Sequence, residues 1–208
     1  MTPEICVYVE GGDNKETRAA LRRAFQYFIE EVRIRASRKR GSLRVVPCGA
    51  RQSAYDDFKQ ALHANPNAFN VLLVDAEGPV TVRSPWDHLR NRKEDQWKNP
   101  GVDDSHCHLM VQMMEAWLVA DPEKLAEYYG KGFHEKSLPD NPNVEQIDKK
   151  TLERSLALAT RQTSKKRYHK TRHAPDLLER IRPEVVRPKA SFCDRLFKTL
   201  LAEIDRTA

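Results

Sequence analysis

Residues 5–13 read ICVYVEGGD: five apolar, β-prone residues, then a carboxylate, two glycines and a second carboxylate. The first five form a short, continuous apolar run closed by Gly11-Gly12, the pattern of a buried strand. From about Asn14 the period changes. Leu21, Phe25, Phe28, Ile29 and Val32 recur at helical spacing and predict one amphipathic helix over residues 15–36. Its polar face carries Arg18, Arg22, Arg23, Arg33 and Arg35, and Ser37-Arg38-Lys39-Arg40-Gly41 ends it. LRVVPC (43–48) reads as a second strand, and residues 53–63, with Tyr55, Phe58 and Leu62 on one face, as a second helix. NVLLVDAEG (70–78) is a third strand, so apolar at its centre that both faces should be covered. Strand, helix, strand, helix, strand with short links predicts a parallel α/β sheet with right-handed crossovers.

The rest of the chain is less regular. Residues 79–104 form a polar connection carrying Trp86 and Trp97, long enough to be either functional or partly helical. Residues 108–121 fit a strand entering a helix, or one helix throughout. Pro122 suits the first turn of a further helix over 122–129, and Asp121 before it reads as an N-cap. Residues 130–143, with their glycines and prolines, read as a loop. Residues 144–208 read as mostly helical and highly charged, broken at Pro175, Pro183 and Pro188. The expected organisation is an α/β part over residues 1–130 and a helical basic extension over 131–208, packed on the same domain.

With 208 residues, 39% of them hydrophobic and 32% charged, there is material for a core under a densely charged surface. A net charge of +6 and a pI near 9.2 favour polyanionic partners over cationic ones. Cys6, Cys48, Cys107 and Cys193 are scattered without a CxxC pair, as expected for thiols of a reducing compartment rather than a disulfide framework. His106-x-His108 beside Cys107 lacks the further ligands of a zinc site. Residues 1–20 lack the layout of a signal peptide, and no apolar run approaches the ~20 residues of a membrane span. The expected location is the cytoplasm, with no membrane partner.

Ligands in open α/β sheets bind at the carboxyl ends of the strands. If the first and third strands are neighbours, Glu10, Asp75 and Glu77 reach the same rim, where hard divalent cations such as Mg²⁺ or Mn²⁺ relieve their mutual repulsion. Asp13, just beyond the glycines, is a further candidate ligand. Gly11 and Gly12 would clear side chains from beside Glu10, so that a phosphate can approach the backbone at a helix start. A single carboxylate at a strand end is commonly only a turn or helix cap. The repeated pattern, strand–Glu–Gly-Gly and strand–Asp–x–Glu–Gly, favours the metal reading.

An apolar strand ending in Glu-Gly and a later strand ending in a paired-acid motif resemble the TOPRIM fold of topoisomerases, primases and overcoming-lysogenisation-defect (OLD) nucleases. The chain looks closer still to a family of small prokaryotic TOPRIM-like proteins linked to defence islands. The similarity lies in VEGGD, LLVDAEGPV, HLMVQMMEAWLVADPEKLAEYYG and KKRYHKTRHAPDLLERI, and so covers most of the chain. Glu77 stands where TOPRIM proteins usually have Asp, and Asp13 follows Glu10 more closely than in the OLD pattern. The resemblance implies a TOPRIM-like, Rossmann-like sheet, a metal-dependent nuclease and an ATPase partner of the ABC/SMC kind. It also implies a place as the effector of an anti-phage defence system.

In VQMMEAWLVAD, Gln112 and Glu115 are spaced to share one face of a helix. Among so many apolar neighbours, Glu115 is either a solvated edge residue or a deliberately placed acid. The resemblance favours the second, as an outer metal ligand or second-metal carboxylate. The stretch 161–174 holds Arg161, Lys165, Lys166, Arg167, Lys170 and Arg172, with Tyr168, His169 and His173 interleaved. Such a run is usually a solvated helix face. The scarcity of acids and the interleaved rings suit phosphate neutralisation with base stacking instead. Arg161, Lys165, Lys166, Arg167 and Arg172 are therefore candidate nucleic-acid contacts. Lys170 and His173, three apart, are candidates to stabilise charge on a phosphoryl oxygen, and OLD-like enzymes carry a comparable lysine late in the domain.

These readings converge on a metal-dependent phosphodiesterase. Two Mg²⁺ or Mn²⁺ ions held by Glu10, Asp75 and Glu77, with Glu115 in support, would activate water against DNA or structured RNA. The alternative is a non-catalytic nucleic-acid-binding or sensor subunit working with an ATPase. A phosphotransferase is disfavoured because VEGGDNKE lacks the GK[ST] of a phosphate-binding loop. Homo-oligomerisation is left open.

Overall fold

The computed structural model describes residues 4–206. Four parallel strands, β1 (Glu4–Val9), β2 (Ser42–Pro47), β3 (Phe69–Asp75) and β4 (Cys107–Met110), lie side by side in the order β2-β1-β3-β4. Val7 sits opposite Val45 on one side and Val71 on the other, so β1 is central and directly beside β3. The sheet is Rossmann-like and flanked by helices.

The order places a topological switch between β1 and β3. From β1 the chain moves outward to β2, then returns across β1 to form β3. The first crossover is made by α1 (Lys15–Phe28) and α2 (Glu30–Arg38), which pack on the sheet face of Ile5, Val7, Val9, Val71 and Leu73. The second is α3 (Arg51–Ala64), whose Ala54, Tyr55 and Phe58 cover the opposite face with Leu72 and Val74. β3 is thus covered on both sides, as its uninterrupted apolar run requires. α1 starts at a reciprocal cap in which the Thr17 amide donates to Asn14 Oδ1 and the Asn14 amide to Thr17 Oγ1.

The expected single helix over 15–36 is two helices, because Ile29 (φ −102°, ψ 28°) leaves helical geometry between them. No glycine or proline marks the break. The bend lets Leu21, Phe25 and Phe28, and then Val32 and Ala36, all stay against the core. Residues 79–104 are partly helical, with α4 (Pro85–Asn91) burying Trp86 beside Phe58, while Trp97 stacks on Tyr55 at 4.5 Å. Of the two readings for 108–121, the strand entering a helix holds. β4 ends at Met110 and α5 (Glu115–Val119) begins five residues later, so Gln112 lies in the turn and shares no helix face with Glu115.

α6 (Pro122–Tyr129) opens at its proline as expected. Asp121 occupies the N-cap position as expected, but makes no side-chain capping hydrogen bond. Its carboxylate instead receives the Arg182 amide and guanidinium at 2.8–3.0 Å. Beyond the loop come α7 (Lys149–Thr160), α8 (Lys170–Leu178), α9 (Pro183–Val186) and α10 (Ser191–Arg206). Pro183 opens a helix and Pro188 lies in a 3₁₀ turn, but Pro175 sits inside α8 rather than ending one. Leu152, Leu156, Leu177, Leu196, Phe197 and Leu200 join the same buried cluster as β1 and α1. Phe28 joins the parts, stacking on Trp117 of α5 at 5.4 Å and meeting Phe197 of α10 at 5.6 Å. Among the described residues no helix is long and apolar enough to cross a membrane.

Candidate metal centre

The carboxyl ends of β1 and β3 deliver the acids. Glu10 follows β1, Asp75 ends β3, and Glu77 follows two residues later. One oxygen from each lies within 4.8 Å of the others. The backbone holds this arrangement firmly. The Ala76 and Glu77 amides donate to the Met110 and Gln112 carbonyls at 2.8 and 2.7 Å, extending the pairing of β3 past its end. Glu77 itself has φ 63°, a left-handed conformation uncommon outside glycine and asparagine.

Three cations from separate elements face the acids. Arg51, the first residue of α3, donates from Nη1 to Glu10 Oε2 at 2.8 Å and to the Asp75 carbonyl at 2.7 Å. Its Nε and Nη2 donate to the two oxygens of Asp95 at 2.8 Å each, and Trp97 lies 5.1 Å from its guanidinium carbon. Lys170, the first residue of α8, reaches Asp75 Oδ2 at 3.0 Å and lies 3.8 Å from Glu115 Oε2. Lys149, the first residue of α7, pairs with Glu77. Asp75 is 1% exposed, and its Oδ1 also accepts the Met114 amide at 2.8 Å. Glu115 is equally buried. Tyr168 donates to its Oε1 at 2.8 Å, while Oε2 makes no hydrogen bond.

Burial and the neighbouring Asp75 charge push the Glu10 carboxyl up to about 7, against the opposing pull of Arg51 and Lys170. Burial likewise raises Glu115, with Lys170 opposing it. Glu77 is also pushed up by burial, but its bond and charge contact with Lys149 outweigh this and hold it below the usual carboxylate range. Burial alone would lower the Lys170 ammonium; Asp75 and Glu115 instead raise it above an ordinary lysine.

The donor set fits a divalent cation. Three hard oxygens share one small volume, and a fourth carboxylate, that of Glu115, sits behind Asp75 with a buried oxygen free of hydrogen bonds. This is the one group of three or more His, Cys, Asp or Glu side chains placed to hold a metal among the described residues. His106 and His108 turn to the Asn70 and Ser105 carbonyls instead, and all four cysteines are buried and free.

The other sequence candidates separate. Asp13 is exposed on the rim of the same cavity and outside the acid trio. His173 is buried away from the acids, where its Nδ1 accepts the His169 amide at 3.2 Å and lies 3.1 Å from the Tyr129 hydroxyl. From the stretch 161–174, Lys170, Thr171 and Ala174 line the cavity, and Lys170 is the one candidate contact among them. Arg161 and Arg167 line a different groove along α7 with Lys150 and Arg154. Lys165 lies over the Tyr128 ring at 4.8 Å, and Lys166 and Arg172 are exposed. Gly11 and Gly12 do line the cavity, but they do not leave open space beside Glu10. A Cβ on Gly11 would meet Leu21 Cδ2 at 2.8 Å, and one on Gly12 would meet Arg18 Cγ at 2.6 Å. Their φ values of 114° and 83° also require glycine. The sequence did not mark Arg51 or Lys149, and Tyr168, read there as a stacking ring, donates to Glu115 instead. The signal for Arg51 is its place in the turn after β2, the strand beside β1.

Fold and site together define a doubly wound α/β protein with an acidic centre at its β1/β3 switch point. The chain belongs to the family described as Domain of unknown function (DUF4276), which it matches over residues 9–201. No curated protein and no solved structure matches it.

Proposed function

We propose that the chain is a divalent-metal-dependent phosphodiesterase acting on nucleic acid, a nuclease. The observation that carries this is the meeting of Glu10, Asp75 and Glu77 within 4.8 Å at the switch point, with Lys170 beside them. Glu10, Asp75 and Glu77 would hold the cation, with Glu115 the reserve ligand for a second ion. Mg²⁺ or Mn²⁺ bound there supplies charge neutralisation at a phosphoryl oxygen and lowers the pKa of water. Lys170 keeps its charge between Asp75 and Glu115 while half its side chain stays accessible, so it can donate to a phosphate oxygen as negative charge builds. Arg51 has no comparable freedom. Clamped by Asp95 and Trp97, it fixes the rotamer of Glu10. Tyr168 does the same for Glu115. The likeness of the sequence motifs to TOPRIM and OLD-type proteins supports the same reading, and with it an ATPase partner and a role in anti-phage defence.

A second reading is favoured by the ion pairs themselves. Glu10, Asp75 and Glu77 each already face a cation of this chain, an arrangement suited to a closed ionic lattice in a non-catalytic nucleic-acid-binding or sensor subunit. Incubating the purified chain and Asp75→Asn with plasmid and with total RNA, each with Mg²⁺, Mn²⁺ or EDTA, separates the two. Metal-dependent cleavage by the wild type that disappears in the variant supports the nuclease. Binding without cleavage, equal in the two proteins and indifferent to EDTA, supports the second reading.

A further inference from the structure

The cavity in front of the carboxylates is chemically two-sided. Its volume is about 300 Å³, in the range of small-ligand sites rather than of a groove for a duplex. One flank holds Glu10, Asp75, Glu77 and Lys170. The other is formed by Leu21 of α1, Met110 and Met114 around the end of β4, and Ala174 and Pro175 of α8, all buried and none carrying a charge. A metal and a phosphate group alone have no use for that second flank. Flat, polarisable matter does, because thioether and aliphatic side chains pack on a ring face. Pro175 also carries no amide, so the Thr171 carbonyl one turn earlier has no helical donor at that position. Both residues line the cavity.

We propose that this cavity takes one unstacked nucleotide, with its phosphate toward Lys170 and the acids and its base against Leu21, Met110, Met114, Ala174 and Pro175. The inference rests on the phosphodiesterase reading and narrows it. The substrate is an unpaired nucleotide, in a single strand or at a frayed end, and not the interior of a duplex. A paired base inside a stack presents only its edges to a protein, and the energy needed to pull it out falls to a minimum where it is already single-stranded.

The test is binding to the full chain, by calorimetry with Mn²⁺ present. The probes are inorganic phosphate, deoxyribose 5-phosphate, a nucleoside monophosphate, a five-nucleotide single strand and a blunt duplex of the same sequence. The expected result is that the monophosphate and the single strand bind about 10–100-fold more tightly than either base-free phosphate, the range of one base stacked on protein. The duplex should compete poorly. Ala174→Leu, which fills the apolar flank, should remove that advantage without changing Mn²⁺ affinity. Thr171→Trp, at the exposed mouth of the cavity, is the variant that folding tolerates best and should do the same. Equal affinity for the nucleotide and inorganic phosphate, or variants that leave the nucleotide preference intact, would overturn the inference. Mn²⁺ binding measured without nucleotide keeps the failures apart. If Mn²⁺ binds and the base adds nothing, only the nucleotide pocket is wrong. If Mn²⁺ does not bind at all, the phosphodiesterase reading fails first.

Discussion

Glu77 combines a proposed metal-ligand role and a conformational cost in one residue. Its φ of 63° costs a side-chain-bearing residue about 1 kcal/mol or more, and the hydrogen bond from its amide to the Gln112 carbonyl holds it there. Its pair with Lys149 is partly exposed on both sides and so adds little stability. Glu77→Gly should therefore leave the melting temperature unchanged or raise it, while lowering Mn²⁺ affinity at least ~10-fold through the lost charged ligand. A variant that melts lower yet binds Mn²⁺ normally would show that Glu77 serves the fold and not a metal. Arg51 is its counterpart. A guanidinium has five N–H donors, and here four hydrogen bonds go to Asp95, Glu10 and the Asp75 carbonyl. Such a group positions its neighbours and has little left with which to bind a ligand.

At the scale of elements, β4 and α10 are joined by a buried polar contact. His108 Nδ1 faces Arg195 Nη1 at 3.2 Å, and Arg195 also donates to the Cys107 and Asp104 carbonyls. Burial first, and then Arg195, push the His108 imidazole down to about 3, so it is neutral in the folded protein. The unfolded chain binds its proton near pH 6.5. Between pH 6.5 and 3 the unfolded state therefore holds more protons, and folding stability falls as pH drops through that window. From pH 7 to pH 5 the contribution is about 2 kcal/mol. Urea titrations of the wild type and His108→Gln should show a smaller acid loss in the variant, and equal losses would show that His108 is not the group responsible. Elements also mark the limit of what was legible in the sequence. Glu10, Asp75 and Glu77 could be read because strands are short and end where their apolar runs end, which fixes where the next carboxylate goes. Arg51, Lys149 and Lys170 each open a helix, and their meeting depends on strand order and on how α7 and α8 return to the sheet. Lys170 had only its spacing and a resemblance to mark it. His173, three residues after Lys170 at the start of α8, turns its ring to Tyr129 of α6 rather than to the acids. The break at Ile29 has no local signal at all.

For the whole molecule, the return of the C-terminal helices to the sheet matters most. Leu152, Leu177, Leu196 and Phe197 are fully buried in the same cluster as Val7, Phe28 and Trp117, and Lys149, Tyr168 and Lys170 complete the centre from that side. A fragment ending at residue 130 should lose the cover of Phe28 and Trp117, bind a hydrophobic dye and show no sharp thermal transition in near-ultraviolet circular dichroism. A fragment that melts cooperatively would mean that residues 131–206 only decorate a self-sufficient α/β unit. The central proposal is that Glu10, Asp75 and Glu77, brought together at the switch point, hold a divalent cation. Titration of Mn²⁺ followed by electron paramagnetic resonance, in the full chain and in Asp75→Asn, tests it without requiring substrate or partner. The account predicts saturable loss of the free-ion signal in the wild type, reversed by excess Mg²⁺ and weakened at least ~10-fold in the variant. A free-ion signal that follows the added Mn²⁺ identically with and without the wild-type protein would contradict it.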